Sequence, residues 1–120
     1  SHLEAQRIAE IVALLKPRVA VPGEVIVQKG APGNCMYFIS SGQVQVNLAD
    51  RPVFLQAGDF FGEIALIKKY PRTFSIKALG FCDLLVLSDS DFNLFLENNL
   101  EIRKILSETA DKRIEMDGLS

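Results

Sequence analysis

Gly58-Asp59-Phe60-Phe61-Gly62-Glu63-Ile64-Ala65-Leu66 and, after a short gap, Pro71-Arg72-Thr73-Phe74-Ser75 bring together residue types that grip an anion. Two glycines bracket an aromatic pair. Gly62 to Leu66 has the composition of one helical turn, whose first backbone N–H groups lack partners inside the helix and can point at a negative charge. Arg72 follows, expected on a strand facing that turn. Its guanidinium offers a planar, two-pronged grip on a phosphate while amides hold the same group from the other side. The stretch therefore reads as a phosphate cradle, with Gly62, Glu63, Ile64, Ala65 and Arg72 as candidate contacts. Each residue alone has an ordinary explanation as a turn glycine, a solvated acid or a surface arginine beside a proline. Their order together is what carries the reading.

Gly58-Asp59-x-Phe61-Gly62-Glu63-Ile64-Ala65-Leu66 followed by Pro71-Arg72-Thr73-x-Ser75 resembles the phosphate-binding cassette of cyclic nucleotide-binding domains. The resemblance extends over nearly the whole chain. It implies that Glu63 accepts a hydrogen bond from the ribose 2'-hydroxyl, that Arg72 pairs with the cyclic phosphate, and that Thr73 adds contacts. Phe74 departs from the family pattern, which has a small residue there.

Size and composition are those of one domain, expected over residues 3–117, able to bury roughly two-thirds of its unfolded surface. A formal charge of −2 and the lack of a basic tract argue against nucleic acid as a partner. No apolar run reaches the ~20 residues of a membrane span. Cys35 and Cys82 are too few and too far apart for a zinc site, and read as small buried hydrophobes in a reducing compartment. Ser1-His2, with no opening methionine, reads as a cloning remnant, so the chain is expected to be a piece of something longer. His2, the one histidine, is then expected outside the fold, which leaves a metal-holding jelly-roll enzyme, the rival from another class, without ligands.

The elements that must position the cradle follow from the spacing of apolar residues. Ile8, Ile11, Val12 and Leu15 predict an amphipathic helix from Leu3 to Leu15, ended by Lys16-Pro17. The period then changes. Val25 and Val27, the run Met36 to Ile39, and Val44 and Val46 predict short strands, separated by turns at Pro22-Gly23, Lys29-Gly30, Pro32-Gly33-Asn34, Ser40-Ser41-Gly42 and Ala49 to Pro52. Such spacing argues for an all-β sandwich or barrel. Here the fold class is mainly β, a jelly roll with flanking helices, and Val46 either floors a base pocket or fills the barrel. A strand is expected over Thr73 to Ala78, and a turn and a buried strand over Leu79 to Leu87. Ser88 and Asp91 then form a capping box opening a helix that buries Phe92, Phe95 and Leu96. Asn98-Asn99 loosens it before a last helix from about Leu100 to Asp117, with Ile102, Leu106, Thr109, Arg113 and Met116 on one face.

By resemblance that last helix is a lid, and Arg113 matches the position that caps the purine. The segments Leu79 to Leu84 and Leu87-Ser88-x-x-Asp91-Phe92 look most like those of cyclic-nucleotide-gated channels. The resemblance implies a ligand-sensing domain and not an enzyme. Its ligand is cAMP or cGMP, with cAMP favoured and no cofactor needed. Its implied partner is a missing N-terminal transmembrane pore domain, in a homotetramer at the inner, cytoplasmic face of a membrane, the isolated domain being a monomer. A transcription regulator, a kinase regulatory protein, or a degenerate domain making only protein contacts are the other readings.

Overall fold

The computed structural model describes residues 2–62, 66 and 71–117. Helix α1 spans His2–Leu14, followed by strands β1 (Lys16–Ala20), β2 (Val25–Val27), β3 (Cys35–Ser41), β4 (Gln43–Asn47), β5 (Pro52–Gln56), β6 (Phe60–Phe61), β7 (Ile76–Ala78) and β8 (Cys82–Ser88). Helices α2 (Asp89–Glu97) and α3 (Leu100–Asp117) follow. The described strands form two four-stranded antiparallel sheets, ordered β1-β8-β3-β6 and β2-β7-β4-β5, in the expected jelly-roll arrangement.

In the first sheet β3 and the middle of β8 are covered on both faces, which explains the apolar runs Met36 to Ile39 and Leu84 to Leu87. Along β3, Tyr37 and Ile39 point into the barrel while Met36 and Phe38 point at the helices; along β8, Leu84 and Leu87 divide in the same way. The second sheet has one wet face, and β4 alternates accordingly: Val44 and Val46 are buried, Gln43 and Asn47 exposed. Between the sheets Ala20, Val27, Tyr37, Ile39, Val44, Val46, Phe61, Ile76 and Leu84 close a core. A second core, with Met36, Leu66, Leu87, Phe92, Phe95 and Leu96, binds α1, α2 and α3 to the outside of the first sheet.

Helix α2 starts as expected. Ser88 is its N-cap and accepts from the Asp91 N–H at 3.2 Å, the forward half of the predicted box. Phe92, Phe95 and Leu96 form its buried face. Asn99 is buried in the joint to α3, where its Nδ2 donates to the Phe95 carbonyl at 2.9 Å and satisfies an acceptor the helix end exposes.

Several expectations are corrected. Lys16-Pro17 does end α1, but at once begins β1 at a sheet edge, where proline's missing N–H costs no ladder bond. Ile11, Leu14 and Leu15 pack inward and Val12 is exposed, since positions 11, 14 and 15 share one stripe at i, i+3 and i+4 spacing and position 12 lies off it. A register shift in β2 buries Ile26 and Val27 together and exposes Val25, breaking strict alternation. The strand expected from Thr73 is regular only over Ile76–Ala78. His2, expected outside the fold, is the first residue of α1.

Candidate functional site

Arg72 is the anchor of the site. It is not on a strand. Its backbone exchanges two hydrogen bonds with the loop after β2: the Arg72 N–H donates to the Ala31 carbonyl at 2.8 Å, and the Gly30 N–H to the Arg72 carbonyl at 2.7 Å. That pairing aims the side chain inward, where it is only 7% exposed. Nη1 donates to the Gly62 carbonyl at 2.8 Å and Nη2 to the Cys35 carbonyl at 2.6 Å, with the Cys35 Sγ 3.9 Å away. A guanidinium has five N–H donors, and these two carbonyls account for two of them. Among the described residues no carboxylate lies within ion-pair distance of it. A buried guanidinium with donors beyond those two carbonyls is able to hold an anionic group.

Gly62 makes this approach possible. Its φ of +88° is one that side-chain-bearing residues resist, and an added Cβ would stand 2.9 Å from Arg72 Nη1 and 3.2 Å from the Cys35 carbonyl oxygen. Gly62 and Arg72, paired in the sequence reading, are thus in contact. Glu63, Ile64 and Ala65 lie outside the described residues. Thr73 is half-buried between Arg72 and Phe74, and lies in no strand. Val46 is 7% exposed within the barrel core. Arg113 falls on α3, and its side chain is outside the described residues.

Two features were not foreseen. Cys35, read as a buried hydrophobe, is half-buried and supplies the carbonyl that holds Arg72; only Cys82 is fully buried. Partners 37 residues apart leave no local signal in a sequence. The second is a polar line from Glu24, before β2, through Arg18 on β1 to Tyr37 on β3. Arg18 Nη1 donates to the Tyr37 hydroxyl at 3.1 Å while its Nη2 pairs with Glu24 Oε2 at 2.6 Å. Burial first, then a hydrogen bond with the Cys35 side chain, pushes the Tyr37 hydroxyl up to about 12, against the opposing charges of Arg18 and Arg72. The Val21 N–H, then Arg18, hold the Glu24 carboxyl below its ordinary value. Tyr37 also stacks on Phe61, ring centroids 4.9 Å apart, one residue before Gly62. Arg18 and Tyr37 thereby lock the β3 and β6 segments whose carbonyls hold Arg72.

Among the described residues no group of three His, Cys, Asp or Glu side chains converges as a metal site, and no helix is long and apolar enough to cross a membrane. The arrangement suits capture of an anionic group at the rim of an apolar barrel.

Comparison with known proteins agrees with that chemistry. A cyclic nucleotide-gated potassium channel of Rhizobium etli is 40% identical over 111 residues, covering 92% of this chain and 31% of the channel. A potassium/sodium hyperpolarization-activated cyclic nucleotide-gated channel 3 of Mus musculus is 32% identical over 119 residues, covering 98% of this chain and 15% of the channel. The chain thus spans less than a third of the length of these curated relatives. The catabolite activator protein of Thermus thermophilus superposes with a TM-score of 0.80 over 95% of this chain and 56% of its own, at 22% identity, a likeness of fold. The family model for the cyclic nucleotide-binding domain matches residues 17–99. With that match over most of its length, the chain belongs to the cyclic nucleotide-binding domain family.

Proposed function

We propose that this domain binds a cyclic nucleotide, cAMP ahead of cGMP, and passes the closure of α3 to an effector elsewhere in a longer protein. The observation that carries the ligand reading is the buried Arg72 guanidinium, held by the Gly62 and Cys35 carbonyls at the end of the barrel. We assign the rest of its fork to the cyclic phosphate, together with amides of the Gly62 to Ala65 turn. Glu63 takes the ribose hydroxyl, Thr73 adds a contact beside the phosphate, and Arg113 caps the base from α3. The output is motion and not catalysis. A ligand shifts an equilibrium only by its differential affinity for the two states, so contacts made only with α3 closed carry the signal. A guanidinium stacked on a purine contributes about 0.5–2 kcal/mol, enough to move a near-balanced lid.

We assign the effector to the pore of a tetrameric potassium or cation channel, with this domain on the cytoplasmic face of the membrane. The names of the two channel relatives support that choice. Calorimetric titration of the domain with cAMP, cGMP and linear 5'-AMP tests the ligand reading. The expected result is one site per chain, tighter for cAMP than for cGMP and weakest for 5'-AMP. A folded domain that binds neither cyclic nucleotide refutes it.

A further inference from the structure

The inner face of the second sheet is not uniformly closed. Along β7 and its run-in, Ala78 is 1% and Ile76 6% exposed, while Phe74 is half-buried. Along β4 the same gradient runs from Val44 at 0% through Val46 at 7% to the half-buried Leu48. On the edge strand β5 both inward residues, Leu55 opposite Val44 and Val53 opposite Val46, are half-buried. Along β4 and β7 the barrel therefore opens toward Leu48 and Phe74. Arg72 bonds to the Cys35 carbonyl at the same rim on the facing sheet, where Cys35 and Val86 are also half-buried.

The direction of the Phe74 ring follows from its neighbours. Ser75 is held on the outer side, its Oγ accepting from the Lys29 N–H at 3.1 Å and from Gln28 Nε2 at 3.4 Å. The Asn47 N–H donates to the Ser75 carbonyl at 3.0 Å, extending the β4–β7 ladder past the Val46–Ile76 pair. One step further places Phe74 across from Leu48. With Ser75 turned out, Phe74 turns in, on the row of Ile76 and Ala78, and packs against the barrel core. Its backbone lies two residues from Arg72, no more than about 7 Å away even for a fully extended chain.

We propose that Phe74 is a binding residue for the ligand's base: its half-buried side chain, across from Leu48, is the apolar platform on which the planar purine rests while Arg72 holds the phosphate. This rests on the cyclic-nucleotide reading above. A ligand anchored at Arg72 by one end must extend either out of the rim or along its inner wall. Phe74 is the aromatic surface on that wall, and an aromatic face favours a flat ring over the saturated sugar.

The test compares cAMP with a ribose 3',5'-cyclic phosphate that lacks the base, titrated into the wild-type domain and into Phe74→Ala and Phe74→Leu. The expected result is a loss of about 3- to 10-fold in cAMP affinity on removing the ring, with Phe74→Leu losing less and the baseless ligand unaffected in either variant. Equal losses for both ligands in both variants overturn the proposal, since Phe74 would then only shape the barrel. Unchanged cAMP affinity overturns it, and so does tighter binding, which would mean that the ring occupies the ligand's room. If Phe74→Ala does not fold, Phe74→Leu decides alone by the same comparison. A wild-type domain that binds neither ligand overturns the cyclic-nucleotide reading itself. Wild-type binding with no change in the variants overturns only the role of Phe74.

Discussion

Replacing Gly62 with alanine tests whether the cradle depends on backbone and guanidinium sharing one small space. At φ +88° an alanine takes on the left-handed penalty, about 1–2 kcal/mol. Its Cβ would also meet Arg72 Nη1 at 2.9 Å and the Cys35 carbonyl oxygen at 3.2 Å. The carbonyl belongs to β3 and is fixed by the ladder to β8, so the guanidinium is what yields. Its 2.8 Å bond to the Gly62 carbonyl then lengthens, eroding a charged hydrogen bond worth about 1.5–3 kcal/mol. The combined loss is about 2–4 kcal/mol of stability. Gly58→Ala is the matched control: φ is +94° there, but nothing lies within 4 Å of an added Cβ. It should lose only the backbone share and keep its nucleotide affinity. Urea denaturation read beside cAMP titration separates the two, with affinity falling about tenfold or more in Gly62→Ala alone. Equal destabilisation of both variants, with both binding as wild type, refutes the close approach of Arg72 to Gly62.

Tyr37→Phe should flatten a pH dependence. The folded chain keeps the phenol proton up to about 12 while the unfolded chain releases it near the ordinary 10.0, so this stability is fully present below pH 10.0 and is lost as pH rises toward about 12. The loss is at most about 2 kcal/mol, read as the difference between wild type and variant in urea at stepped alkaline pH; parallel curves would contradict the burial argument. Ser88→Ala should cost about 1 kcal/mol by freeing the Asp91 N–H, with the urea slope unchanged and Ser88→Thr restoring most of it.

What could be read in the sequence was local. Ser88 and the Phe92, Phe95, Leu96 face mark α2 because caps and helical spacing are properties of a few consecutive residues. Val44 and Val46 mark the inner face of β4 for the same reason. The β2 register shift was hidden, since Val25 and Val27 alternate in type whichever of them the bulge exposes. Phe60 and Phe61, an aromatic pair between two glycines, form a strand because Tyr37 and Phe38 lie opposite. At the site, the glycine and the arginine were legible from their order. Their contact, the Cys35 carbonyl, and the line from Glu24 through Arg18 to Tyr37 were not, because each joins segments that only the folded barrel brings together.

The central claim is that Arg72 holds the phosphate of a cyclic nucleotide. Arg72→Ala also leaves the Gly62 and Cys35 carbonyls without their donor, so folding is checked first by denaturation, and Arg72→Lys, which keeps the charge without the fork, is measured beside it. Calorimetric titration of the folded variants with cAMP should show a loss of about 2–5 kcal/mol for alanine, and a smaller one for lysine. A folded Arg72→Ala domain that binds cAMP as tightly as wild type would contradict the account.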